Sequence, residues 1–263
     1  MITPFLVGAL LVSGSVAEPG PRVMAALGDS ISTGFNACGW YVSCLSRSWA
    51  TGTDRDLDSH YLRLGMSGGN RNFAEPGATS ADLRGQVDRA VTAGAGYVTI
   101  LIGAQDVCTR TERAMTSVPV YRSRVEQALS ALREGLPQAR VFVASIPDLR
   151  RLWVAGREHG LARAFWTLGR ICQSMLADPA SKARADVDRR ARVRQRVVDF
   201  NAVLARACAA YGPRCRTDGG AVFSYPYTLA HISGWDYFHP NALGQKVLAE
   251  QTFKHGFDWL EAR

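Results

Sequence analysis

No C-x-x-C pair occurs in this chain, which removes the usual zinc knuckles and thioredoxin-like redox motifs although six cysteines are present. No P-loop signature is present either, so a Walker-type nucleotide site is excluded. Gly94-Ala95-Gly96 precedes its apolar run instead of following one, the wrong polarity for a dinucleotide-binding turn. The five histidines are scattered, so neither a metal centre nor an organic cofactor is expected. Internal repeats and low-complexity tracts are missing, and 263 residues at 47% hydrophobic content suit one domain with one substantial core.

Acidic residues are in short supply, 23 against 31 basic ones, which leaves a net charge of +8 that is largely arginine. The excess concentrates at Lys182, Arg184, Arg189, Arg190, Arg192, Arg194 and Arg196, partly compensated by Asp186 and Asp188. Nucleic-acid binding would want aromatic residues interleaved for stacking and a recognisable module, and neither is found here. The stretch reads as a solvated helix face. A diffuse positive field would also raise encounter with anionic lipid or cell-wall polymer, a peripheral contact at most.

At the N-terminus, Phe5-Leu6-Val7-Gly8-Ala9-Leu10-Leu11-Val12 is too short to span a bilayer. Small residues close it at Ser15-Val16-Ala17, which fits signal-peptidase cleavage before Glu18 although no Lys or Arg precedes Phe5. Residues 1–17 are thus expected to be an export signal and 18–263 the catalytic domain, a secreted, extracellular monomer. The cysteines agree with export, because disulfides persist outside the reducing cytosol. Six cysteines permit fifteen pairings. The close spacing of Cys38 with Cys44 and of Cys208 with Cys215 suggests two small loops, leaving Cys108 for Cys172.

Short apolar runs alternate with helical patterns, which predicts an α/β chain around a parallel sheet. Strands are expected at Val23 to Leu27, Asn72 to Ala74, Tyr97 to Ile102 and Val141 to Ser145, with Ala221 to Phe223 a weaker fifth. Helices are expected at Asp82 to Ala93, Val120 to Glu134, Arg184 to Ala210 and Ala242 to Phe253. The segment from Cys38 to Asn70 is rich in Ser, Thr, Gly and Asp and reads as a long loop, the kind that is usually functional or anchored. Its Trp40, Tyr41, Trp49 and Tyr61 could wall a cleft or simply pack beneath the loop.

Gly28-Asp29-Ser30 follows the first apolar run directly, which sets a serine where a buried strand gives way to a turn. In open parallel sheets, sites form beyond the carboxyl ends of strands, and three candidate strands end in polar features: Ser30, Glu75 to Ala78, and Gly103-Ala104-Gln105-Asp106. Far down the chain, Asp236-Tyr237-Phe238-His239-Pro240 sets a carboxylate three residues before an imidazole, so that one short loop can present an acid and a base together. The pattern points to a serine nucleophile activated by histidine. His60, His159, His231 and His255 lack such a context and read as structural or solvent-facing. Asp148, after the fourth strand, is a competing acid.

These blocks resemble the GDSL, or SGNH, hydrolase family, from about Val23 to the C-terminus. The serine block is Gly28-Asp29-Ser30, the glycine block resembles Asn72 to Ala78 with Gly77, and the histidine block is Asp236 to His239. The fourth block departs from the family, because Gln105 stands where the family has asparagine. The resemblance implies a three-layer α/β/α sandwich, flavodoxin-like, with a parallel sheet of about five strands. It also implies acyl transfer with Ser30 as nucleophile, His239 as base and Asp236 orienting the imidazole. The backbone N–H groups of Ser30 and Gly77 and the Gln105 amide would form the oxyanion hole. Gln105 keeps the amide donor on one extra methylene, and a donor acts only near 3 Å from the developing charge. Asp29 and Asp106 would organise their turns, and a bridge from Cys108 would tether the loop that carries Gln105.

Within the family, an export signal, disulfides and a basic surface resemble secreted actinobacterial lipases and esterases, so lipid or phospholipid acyl esters are the first substrate class. A carbohydrate or natural-product acyl esterase, or an acyltransferase, would use the same residues. A binding protein on a hydrolase scaffold, weakened at Gln105, is the alternative outside enzymes.

Overall fold

A computed structural model describes residues 22–258, so the expected export signal lies outside the described residues. Five strands, β1 (Met24–Gly28), β2 (Asn70–Asn72), β3 (Tyr97–Leu101), β4 (Arg140–Val143) and β5 (Cys215–Thr217), form one parallel sheet in the order β2-β1-β3-β4-β5. That order is the flavodoxin-like one, and its direction reverses between β1 and β3, where a crevice opens beyond the strand ends. The helices are α1 (His60–Arg63), α2 (Leu83–Thr92), α3 (Ala104–Val107), α4 (Val118–Gly135), α5 (Leu149–Gly156), α6 (Gly160–Leu168), α7 (Gln173–Leu176), α8 (Arg184–Tyr211), α9 (Ala221–Ser224) and α10 (Ala242–Phe253). They surround the sheet as a three-layer α/β/α sandwich. Among the described residues, no helix is long and apolar enough to cross a membrane.

Every residue of β1 and β3 is buried, as expected for central parallel strands covered on both faces. The edge strands β2 and β5 are three residues long and partly exposed, which limits the unpaired edge they offer. Along α8, Arg190, Val193, Val197, Phe200, Leu204, Ala207 and Tyr211 are buried at helical spacing. Phe200 stacks on Tyr121 of α4 with ring centroids 3.8 Å apart. On the other layer, His60 of α1 bridges the Tyr97 hydroxyl of β3 and Thr252 of α10, at 2.9 and 2.7 Å. Burial pushes its imidazole down to about 3, so it stays neutral.

The fifth strand is a correction. Ala221 to Phe223 lies in α9, and the sheet is completed instead by Cys215–Thr217, tied to α8 by the Cys208–Cys215 disulfide. The reason is local. Gly219 and Gly220 take positive φ, and the Asp218 carboxylate accepts from the Gly220 and Val222 amides, which turns the chain into a helix. The second strand pairs two residues upstream of the apolar run, through Asn70, Arg71 and Asn72.

The Cys38 to Asn70 segment is mostly irregular, as expected, with one 3-10 turn and the single turn of α1. Trp49 is fully buried and Tyr61 packs against the core, whereas Trp40 and Tyr41 are exposed against Trp235.

The arginines near the start of α8 act mainly as internal braces. Arg189 donates to the Gln173, Ser174 and Ala177 carbonyls, and Arg190 donates to the Ser181 carbonyl with its guanidinium 4.4 Å from the Trp153 ring centroid. Arg192 pairs with Glu112 and Arg194 with Asp148.

Candidate active site

β1 ends against β3 so closely that a Cβ on Gly28 would lie 2.1 Å from the Leu101 carbonyl oxygen, and the residue adopts φ +142°. Only glycine fits there. Its backbone groups meet a buried side chain: Gly28 N–H donates to Gln86 Oε1 at 2.7 Å, and Gln86 Nε2 donates to the Gly28 carbonyl at 2.9 Å. From this anchored end the chain turns sharply. The Asp29 carbonyl accepts from the Ser32 and Thr33 amides, and Asp29 Oδ1 accepts from the Ile31 amide at 2.9 Å. A second glutamine, Gln245 of α10, donates to the Ile31 carbonyl at 2.8 Å. Ser30 sits at the crest of this braced turn.

Across from it, the loop before α10 presents His239. Its Nε2 lies 2.8 Å from Ser30 Oγ and its Nδ1 2.6 Å from Asp236 Oδ2. Asp236 Oδ1 accepts from the Phe238 and His239 amides at 2.9 and 3.0 Å, so the carboxylate is fixed by its own loop. Burial pushes the Asp236 carboxyl up, but the His239 bond and charge and those two amides outweigh it and hold it below the usual carboxylate range. The Phe35 ring packs 4.8 Å from the imidazole. The arrangement can pass a proton from the serine hydroxyl to the imidazole and stabilise the resulting imidazolium.

Asp29 and Asp106 serve their turns. Asp106 accepts from the Ser80 amide and hydroxyl at 2.8 and 2.7 Å, which joins the Gln105 turn to the turn that carries Gly77. Asp29 is buried with Oδ2 unpartnered, and burial pushes its carboxyl up to about 7 although the Ile31 amide bond opposes the shift. Gln105 sits in α3 and lines a cleft with Ser30 and His239. Gly77 has φ +84° and is exposed on its turn, outside the residues that line the cleft. Asp148 caps α5 through the Arg150 amide and pairs with Arg194. The remaining histidines are structural in their contacts: His159 caps α6 and His231 caps a 3-10 turn, while His255 bonds to the Gln251 carbonyl.

The cleft is open to solvent and lies directly over Ser30 and His239. Its far wall is apolar, built from Leu149, Leu152 and Ala155 of α5 with Ile232 and Phe238 opposite. None of Trp40, Tyr41, Trp49 and Tyr61 contributes to it. The α5–α7 segment is held to the Gln105 turn by the Cys108–Cys172 disulfide and by Ser174, whose hydroxyl donates to the Val107 carbonyl at 2.6 Å. Among the described residues, no group of three or more His, Cys, Asp or Glu could hold a metal ion.

The model of the GDSL-like lipase/acylhydrolase family matches residues 24–252, a span that runs from β1 into α10 and takes in Ser30, Asp236 and His239. The chain belongs to that family. Ser30 and His239 face each other at its cleft. Over 167 residues this GDSL hydrolase is 29% identical to human membrane-associated phospholipase B1, a match covering 50% of the chain and only 11% of that relative. Its fold is shared with an extracellular lipase from Streptomyces rimosus at 21% identity and TM-score 0.54, covering 89% of this chain and 99% of the other. An acetylxylan esterase from Geobacillus stearothermophilus shares it at 16% identity and TM-score 0.53, covering 90% and 95%.

Gln86, Gln245, Asn36 and the α5 wall are the parts of the site that motif reasoning misses. Their contacts join residues far apart in sequence, and the α5 leucines carry no chemical signature of their own.

Proposed function

We propose that the protein is a secreted serine esterase that hydrolyses apolar acyl esters, lipid or phospholipid, through an acyl-serine intermediate. The observation that carries this reading is the unbroken relay from Ser30 Oγ through the His239 imidazole to Asp236, opening on a cleft with an apolar far wall. Ser30 Oγ attacks the ester carbonyl as its proton passes to His239 Nε2. The Ser30 amide and the Gln105 side chain, both at the cleft, would meet the oxyanion; Gly77, the third donor implied by the family, sits on the neighbouring exposed turn, linked to that of Gln105 through Ser80 and Asp106. Collapse of the tetrahedral intermediate expels the alcohol, which takes the proton from His239, and water completes hydrolysis by the same route.

Leu149, Leu152 and Ala155 favour an acyl chain over a sugar, because apolar walls hold methylenes and offer a carbohydrate few partners. The human phospholipase and the Streptomyces lipase support the same class. Three disulfides support an oxidising compartment outside the cell.

The test is a panel of p-nitrophenyl esters of graded chain length, phospholipids and acetylated sugars, assayed on the wild type and Ser30→Ala. The expected result is highest kcat/KM on medium or long acyl chains, with a loss of about 10⁶ in Ser30→Ala. Preference for acetylated sugars would move the substrate class to carbohydrate esters. A wild type that binds esters but is not labelled at Ser30 by an organophosphonate would remove the catalytic reading.

A further inference from the structure

Asp236 accepts four hydrogen bonds, and three of them come from its own loop. The fourth comes from two hundred residues away. Asn36 Nδ2 donates to Asp236 Oδ2 at 2.6 Å, on the oxygen that faces His239, and the two side chains are only 1% and 4% exposed. A fixed amide donor there occupies one direction of approach to Oδ2 and leaves the imidazole the other. It is neutral, so it orients the carboxylate without adding a charge that would repel the imidazolium.

The backbone is built to deliver this amide. Asn36 has φ +61°, the left-handed region that asparagine tolerates better than most residues. Its N–H donates to the Val42 carbonyl, and its carbonyl accepts from Gly39, inside the small loop closed by the Cys38–Cys44 disulfide. That loop grips the residue just before Asp236. Gly39 lies so close to the Trp235 indole that a Cβ would come 2.5 Å from Nε1, the Trp40 ring is 4.8 Å from the Trp235 ring, and the Tyr41 hydroxyl donates to the Trp235 carbonyl. Asp236 is therefore held twice, through Trp235 by the disulfide-closed loop itself and through Asn36, which lies just before that loop and is bonded into it.

We propose that Asn36 is a positioning residue of the hydrolase: it fixes the Asp236 carboxylate toward His239, and the Cys38–Cys44 loop is the strut that holds it there. The inference rests on the catalytic reading of Ser30, His239 and Asp236. Asn36 exchanges no proton and touches no substrate. Its contribution falls at the transition state, where a carboxylate already in place stabilises the imidazolium without reorganisation.

Asn36→Gly tests this, because glycine keeps the positive φ and deletes the amide. On an ester that the wild type hydrolyses, kcat is expected to fall by about 10²-fold with KM within about twofold. Labelling of Ser30 by an organophosphonate should slow in step, and the downfield proton resonance of His239 Nδ1–H should shift. Asn36→Asp supplies the readout that a purely structural role would not move. The titratable groups around its new carboxyl are Asp236 and His239, with Asp29 beyond the imidazole. A protonated Asp at position 36 can donate as asparagine does, so the variant should keep most activity on the acid side and lose it as pH rises. A kcat for Asn36→Gly within about threefold of wild type overturns the proposal. So does an Asn36→Asp variant whose loss is the same at every pH. A wild type inert to both ester and phosphonate defeats the underlying catalytic reading instead, a result distinct from an active enzyme indifferent to Asn36.

Discussion

The two walls of the cleft are built by opposite rules. On the Ser30 side directional bonds hold the machinery: Gln86 holds both backbone groups of Gly28, Gln245 holds the Ile31 carbonyl, and Asp236 is bonded four times. On the α5 side Leu149, Leu152 and Ala155 meet the cleft through shape alone. Directional bonds fix atoms to fractions of an ångström, whereas apolar packing fixes volume. Chemistry belongs on the first wall and substrate choice on the second, and the two should respond differently to substitution.

The sharpest break in that comparison is at Gln105, the member of the chemical wall whose reach differs from the family pattern. Gln105→Ala is expected to lower kcat by about 10²–10³ with little change in KM, read by steady-state kinetics on one ester. A loss confined to KM would assign the side chain to ground-state binding. On the opposite wall, Leu152→Trp should fill the cleft and cut kcat/KM for long acyl chains by about 10-fold, while short esters react as before, because a few methylenes of mismatch are worth 10–200-fold. Equal losses on all chain lengths would mean that α5 positions the chemistry too.

The smallest effect concerns stability. The Asp29 carboxyl stands near 7 when folded against 3.8 ordinarily, so the folded state holds an extra proton between those values. Its contribution is fully present below the unfolded value and is lost as pH rises through about 7. Asp29→Asn keeps an acceptor for the Ile31 amide and cannot ionise. It should raise Tm at pH 8, with the gain shrinking as pH falls and vanishing near pH 4. A gain independent of pH, read by thermal melts across that range, would put its origin elsewhere.

The central strands and the Ser30 and His239 blocks were legible in the sequence because each is local: an apolar run ending in Gly-Asp-Ser, and a carboxylate three residues before an imidazole. The long α8 was legible through its buried periodicity. The edge strand β5 was not, since Cys215-Arg216-Thr217 has no strand pattern of its own and is placed by β4 and a disulfide. The same holds for α5 to α7, whose short helices draw their stability from packing instead of propensity. Asn36 stayed invisible for a related reason: its partner is 200 residues away, and an asparagine in a glycine-rich turn announces only the turn.

The Cys108–Cys172 bond has a consequence for where the hydrolase can work. α3 is a four-residue helix that carries Gln105; Ser80 holds its Asp106, Ser174 holds its Val107, and the covalent strap ties it to α7. If Gln105 is the oxyanion donor, reducing that strap is expected to loosen its turn, and activity to fall, before the sheet and the α8 layer unfold. The thiol balance of its surroundings would then set the working geometry of the Gln105 turn, which ties the hydrolase to an oxidising setting.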